Sequence, residues 1–178
     1  MNEHDVVFWS KDYKLTWSDF NAESNPAVFE DSHSFIKYRC TWTVESENFG
    51  SEIKFHILDI VLIPEFHKHL SWVRMPMASV ELLKHEQGHF DLAELLRLEF
   101  TQQIKNLFEN KWFPTRGQNE EQRKQFARED SGVMIAKEIE KLESLLLTKR
   151  QDYDTQTNFG QIQKIQDEFN ATFALLHK

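Results

Sequence analysis

The segment His85-Glu86-Gln87-Gly88-His89 sets two imidazoles four residues apart, with a carboxylate beside the first. On a helix, a spacing of four puts both rings on one face, within reach of a single Zn²⁺. Glu86 tilts toward the same side, where it can take a proton from a metal-activated water. Coordination brings the pKa of such a water to about 7, so the expected chemistry is attack on a polarised carbonyl, most simply a peptide bond. Catalytic zinc usually takes three protein ligands, and this helix offers no third. Asp91 projects roughly 160° away from His89, and Glu99 lies about 15 Å further along the axis. The longer pattern H-E-x-x-H-x-x-G-x-x-H is absent, because Leu92 and Leu95 stand at its Gly and His positions. A third ligand is therefore expected from elsewhere in the chain.

The element that must carry this segment is legible from period. Leu82, Glu86, His89, Phe90, Ala93, Leu96, Phe100, Ile104, Leu107 and Phe108 fall on one helical arc roughly 120° wide. Ser79 is its N-cap, Glu81 complements the positive end of the dipole, and the helix of about 30 residues closes near Trp112-Phe113-Pro114. Glu86 and His89 lie on the apolar arc, where an unpaired carboxylate is costly unless a metal or a hydrogen-bond partner compensates it. The bland alternative is a helix whose polar residues line a cavity or pair with one another.

Upstream the period is two. Ile36, Tyr38, Cys40, Trp42 and Val44 alternate with polar residues, which predicts a half-buried strand. A turn over Glu47–Ser51 contains Gly50. In the next strand Ile53, Phe55 and Ile57 face one way, Lys54 and His56 the other. The run Ile60-Val61-Leu62-Ile63 predicts burial on both faces before Pro64 stops it. The two strands form an antiparallel hairpin, with Ile53–Ile63 expected beside the cleft, where it would pair with an extended substrate. A short strand near Leu15-Thr16-Trp17 is also read.

Downstream, a charged helix is expected from Glu120 to Gln151, with Ile135, Ile139, Leu142 and Leu146 as its stripe and an interruption at Ser131-Gly132. After a polar stretch, Asp152 to Gly160, a last helix carries Ile162, Ile165, Phe169, Phe173 and Leu176. The expected architecture is a single α+β domain over 1–178: a small, mainly antiparallel sheet within 1–75, then three helices within 77–178.

Composition narrows the partners. The 178 residues carry 21 Lys+Arg against 29 Asp+Glu, a net charge of −8, which argues against nucleic acid as the ligand. Fifteen Phe and five Trp supply a core, with Trp9, Trp17, Trp42 and Trp72 read as packing residues rather than a carbohydrate platform, and surface anchoring as the alternative for Trp9 and Trp17. The single cysteine, Cys40, makes no internal disulfide. No apolar run is long enough to span a bilayer, and the polar start Met1–Asp5 does not read as a signal peptide. Of eight histidines, His67 and His69 read as a surface pair and His56 as solvent-facing, while His4, His33 and His177 carry no signal.

The chain resembles a bacterial family of uncharacterised proteins described as predicted secreted zinc-dependent proteases. The resemblance rests on Leu15-Thr16-Trp17-Ser18-Asp19-Phe20, on Ser71-Trp72-Val73, on Leu82 through Glu94, and on Tyr153-Asp154-x-x-Thr157-x-x-Gly160. It implies a zincin-like domain, a peptide or protein substrate, and location in the periplasm, the cell envelope or the medium. In the family, the late motif is similar to Y-D-x-x-T-x-H-G, whose His is the natural third zinc ligand. Here Phe159 stands at that position and cannot coordinate. Either Asp154 or another residue replaces it, or the chain is a catalytically inactive binding or envelope-associated relative. Read by themselves, Tyr153 and Asp154 suit a packed ring and a capping carboxylate; within the site, Tyr153 would stabilise an oxyanion.

Overall fold

The structure, a computed structural model, describes residues 5–178; His4 lies outside them. Two long strands, β3 (Ile36–Phe49) and β4 (Glu52–His67), form the expected antiparallel hairpin. It turns at Gly50, whose φ of 65° suits a residue without a Cβ. The short strands β1 (Val6–Phe8) and β6 (Phe113–Pro114) pair antiparallel with the other edge of β4 near its two ends. A separate two-stranded ladder joins β2 (Ser32–His33) to β5 (Trp72–Val73). Three helices follow the hairpin: α1 (Val80–Phe108), α2 (Glu120–Thr157) and α3 (Gln163–Phe173). The chain is α+β, with its antiparallel sheet first and its helices after. Among the described residues no helix is long and apolar enough to cross a membrane.

The alternation in β3 and β4 buries one face against the helices. The expectation of two-faced burial at Ile60–Ile63 is corrected: Ile60 and Leu62 are buried, whereas Val61 is 48% exposed. The cause is a β-bulge. Thr41 pairs with Val61 but Thr43 pairs with Leu58, so β4 holds one extra residue opposite Trp42. Asp59 absorbs it with a φ of 51°. The inward set therefore changes from odd positions (Phe55, Ile57) to even ones (Ile60, Leu62, Phe66), and a phase change looks like a continuous apolar run. Pro64 does not stop the strand either. Its carbonyl accepts from the Trp9 N–H at 3.0 Å, so its nitrogen faces the same side, beyond the last residue of β1, where the ladder needs no donor. Leu15-Thr16-Trp17 is not a strand; the chain there enters a short 3₁₀ turn, Trp17–Asp19.

Helix α1 begins at its expected cap, with the Ser79 hydroxyl accepting from the Leu82 N–H at 3.0 Å. Phe90, Ala93, Leu96, Phe100, Ile104 and Phe108 are buried in the core shared with the sheet, although Leu107 of the same arc is 43% exposed. The second helix departs more from expectation. It is not interrupted at Ser131-Gly132: Ser131 is fully buried there, and its hydroxyl accepts from the Trp42 indole N–H at 3.1 Å. It also runs on to Thr157, so Tyr153 and Asp154 sit on its last turns and not in a loop. The helix ends in three consecutive left-handed residues, Asn158, Phe159 and Gly160, with φ of 47°, 55° and 82°.

The bulge makes a direct prediction. Asp59→Gly should hold or raise stability by up to about 1 kcal/mol, whereas Asp59→Val should lower it by about 1–2 kcal/mol, since a β-branched residue resists positive φ. Urea unfolding midpoints of the two variants check both signs.

Candidate metal centre

His85 and His89 lie one turn apart on α1 and are 1% and 3% exposed. Asp154, from the last turn of α2, meets both: its Oδ1 is 3.0 Å from His85 Nε2 and 2.9 Å from His89 Nε2. One donor atom from each of the three lies within 4.8 Å of the others, so they can converge on one ion. Two imidazoles and a carboxylate are a donor set suited to zinc. Phe159 makes no such approach; its ring packs edge-on against Phe29 with centroids 5.4 Å apart. The cluster opens into a cavity of about 450 Å³ that Glu86, Arg150, His33 and Phe159 also line.

What stands behind His85 fits metal binding. The Tyr153 hydroxyl donates to the His85 carbonyl at 3.3 Å and accepts from Gln166 Nε2 at 2.7 Å. The same Nε2 donates to Asn170 at 2.9 Å, so Gln166 turns its oxygen toward His85 Nδ1, 3.0 Å away. An amide oxygen only accepts, so Nδ1 carries a proton, and Nε2 is the nitrogen that points at Asp154 and the cavity. The Tyr153 ring also stacks on His85, with centroids 4.6 Å apart and planes 12° apart. Tyr153 is 1% exposed and does not line the cavity, so its expected role at an oxyanion is corrected: its hydroxyl lies behind His85 and positions it. Two glycines permit this closeness. A Cβ on Gly88 would collide with the Tyr153 hydroxyl, and one on Gly160 would come within 2.9 Å of His85 Cβ.

Behind His89 the polarity is reversed. Arg150 Nε donates to His89 Nδ1 at 3.2 Å, and Arg150 Nη2 donates to the Ser34 carbonyl at 2.7 Å. Burial and the Arg150 charge pull the His89 pKa down to about 4. His89 is therefore neutral at pH 7, accepts at Nδ1, and carries its proton on Nε2, 2.9 Å from Asp154 Oδ1. Coordination through Nε2 needs that proton to leave and the Arg150 contact to relax. Burial alone would raise the Asp154 carboxyl, but its hydrogen bonds to the two histidines outweigh that and hold it well below the usual carboxylate range.

Glu86 lines the same cavity and is fixed from the side of β2. The Ser32 hydroxyl donates to one carboxylate oxygen at 2.5 Å and the Ser34 hydroxyl donates to the other. Burial would push its pKa up, but the two histidines and these hydroxyls prevail and hold it below its ordinary value. Ladder pairing of β2 with β5, and the Phe35 N–H donating to Ser71 Oγ at 2.9 Å, position the two serines.

Other expectations are corrected by the same geometry. Strand β4 does not border the cavity, whose walls come from the segment Phe29–His33, α1 and the end of α2. His56 is not solvent-facing alone; it stacks on Trp112 with centroids 4.1 Å apart. His67 and His69 do not form a pair: His67 lies 3.3 Å from Glu65 and His69 lies 2.7 Å from Asp5. His33, read as silent, lines the cavity, and His177 bonds Asp91 at 3.0 Å, as does Trp9 at 2.9 Å. Ser32, Ser34, Arg150 and Gln166 escape a reading by sequence. Only Arg150 had a local signal, its i,i+4 spacing from Asp154 on one helix face. Comparison of the chain with family models, curated proteins and solved structures finds no match.

Two measurements test this site without any activity. In the metal-free protein at pH 7, ¹⁵N NMR should show His89 as the Nε2–H tautomer, and an Nδ1–H signal would exclude the Arg150 contact. Gly88→Ala, by driving the Tyr153 ring off His85, should lower stability by about 1–3 kcal/mol in thermal or urea unfolding.

Proposed function

We propose that this chain is a zinc-dependent peptidase with a zincin-like site, in which His85, His89 and Asp154 hold the metal and Glu86 is the general base. The observation that carries the reading is the convergence of Asp154, from another helix, on the two histidines of the H-E-x-x-H segment. Bound there, zinc would supply Lewis acidity toward a carbonyl and a water acidified to a pKa of about 7. The chain's own groups do the rest. Glu86, ionised and oriented by Ser32 and Ser34, accepts the proton of the attacking water and returns it to the leaving amine. Gln166 and Tyr153 keep His85 Nε2 aimed at Asp154 and the cavity. The resemblance to predicted secreted proteases extends the proposal to a peptide or protein substrate and to a place in the cell envelope or outside it.

A second reading is a catalytically inactive relative that binds without cleaving. It is favoured by Phe159 and by the Arg150 hydrogen bond into His89.

Zinc titration separates the two. The peptidase reading expects one zinc per chain, at least tenfold weaker in His85→Ala and in Asp154→Ala, with His89 switching to the Nδ1–H tautomer on loading. Glu86→Gln should keep the zinc and lose at least 100-fold in hydrolysis of a peptide library, in line with the usual contribution of a general base. A wild-type chain that takes up no added zinc removes the peptidase reading.

A further inference from the structure

We infer that Arg150 is a carboxylate-binding residue on the floor of the cavity, and that the cavity takes the C-terminus of a peptide ending in a bulky apolar residue. The naming of a peptide rests on the peptidase reading; the carboxylate site stands on the geometry alone.

Arg150 is a half-buried cation with no carboxylate within ion-pair distance among the described residues, although Glu86 and Asp154 share its cavity. Its partners are an imidazole nitrogen and a carbonyl, neither of which neutralises it. Those contacts use Nε–H and one Nη2–H, which share one edge of the planar guanidinium. The other edge, formed by Nη1 and the second Nη2 hydrogen, has no partner among the described residues. Nη1 is also not among the buried polar atoms that lack a hydrogen bond, so it reaches open space. Two parallel N–H donors on one free edge match the two oxygens of a carboxylate. Charge fixes where such a group can sit. The fork is the one guanidinium on a lining that also holds Glu30, Asp31, Glu81, Glu86 and Asp154, so a carboxylate can be held at its free edge and at a bound divalent ion but nowhere else in the cavity.

The rest of the cavity specifies what carries the carboxylate. Phe159 and Phe29 meet edge-to-face and, with Leu82 and Met77, give the cavity an apolar wall. At about 450 Å³ it lies toward the small end of ligand pockets, which run from about 300 to 1,000 Å³. That room suits one terminal residue better than a run of several. Glu30 and Glu81 stand on the same lining, so acidic residues just ahead of the terminus are disfavoured. The substitution of Phe for the family's His at 159 thus has a use: it supplies a face for an apolar side chain.

The probe is N-acetyl-L-phenylalanine against N-acetyl-L-phenylalaninamide, titrated by NMR or calorimetry into the full chain with and without zinc. The acid should bind at least tenfold more tightly than the amide. Arg150→Met should abolish that preference, and Arg150→Lys, which keeps the charge but not the fork, should restore only part of it. The comparison of acid with amide on wild-type protein needs no variant to fold. Equal binding of acid and amide, no binding of the acid, or a preference that survives in a folded Arg150→Met overturns the proposal. A chain that takes no zinc yet shows the Arg150-dependent preference removes the peptidase reading and leaves the carboxylate site standing.

Discussion

Two carboxylates held against two histidines inside the protein are the constraint on which the rest of this structure turns. Bringing Glu86 and Asp154 out of water is costly unless each oxygen finds a donor or a cation. The fold supplies these from every direction. Serines arrive from β2, the imidazoles from α1, and Asp154 itself from the end of α2. Gln166 from α3 completes the layer behind His85. The helices are therefore joined by polar contacts at one end and by apolar packing along the rest of their length. In the apolar part Ile135, Leu142 and Leu146 of α2 belong to the same core as Phe90, Ala93 and Leu96 of α1.

Legibility in the sequence follows from how local each signal is. The helix α1, its Ser79 cap and the pairing of His85 with His89 on one face depend on a period of 3.6 and a spacing of four, both properties of neighbouring residues. The β3–β4 hairpin is equally local. The bulge at Asp59 is visible only as a change of phase, which imitates a strand buried on both faces until the pairing partner is known. The end of α2 was hidden because residues 152–158 are polar apart from Tyr153, and polarity there reads as loop. In the folded chain only one side of the segment turns inward: Tyr153 is 1% exposed, Thr157 is fully buried and Asp154 meets the histidines, while Asp152, Thr155, Gln156 and Asn158 face solvent. Ser32, Ser34 and Gln166 have no local signature, since each acquires meaning only from a partner more than fifty residues away.

The last turn of α2 shows how position and chemistry reinforce one another. A carboxylate near a helix C-terminus opposes the macrodipole, so Asp154 is disfavoured there on local grounds. Phe159, five residues on, has a φ of 55°, which is unusual for a bulky residue. A chain keeps two such costs together when something else stabilises the arrangement. The left-handed turn lets Gly160 close against His85 and brings Phe159 onto the cavity wall, while the two histidines stabilise Asp154. His89 is neutral and its far nitrogen is occupied by Arg150, so it brings Asp154 no charge. The convergence of three donor atoms on one point therefore arises from the placement of Asp154 as much as from the H-E-x-x-H spacing itself.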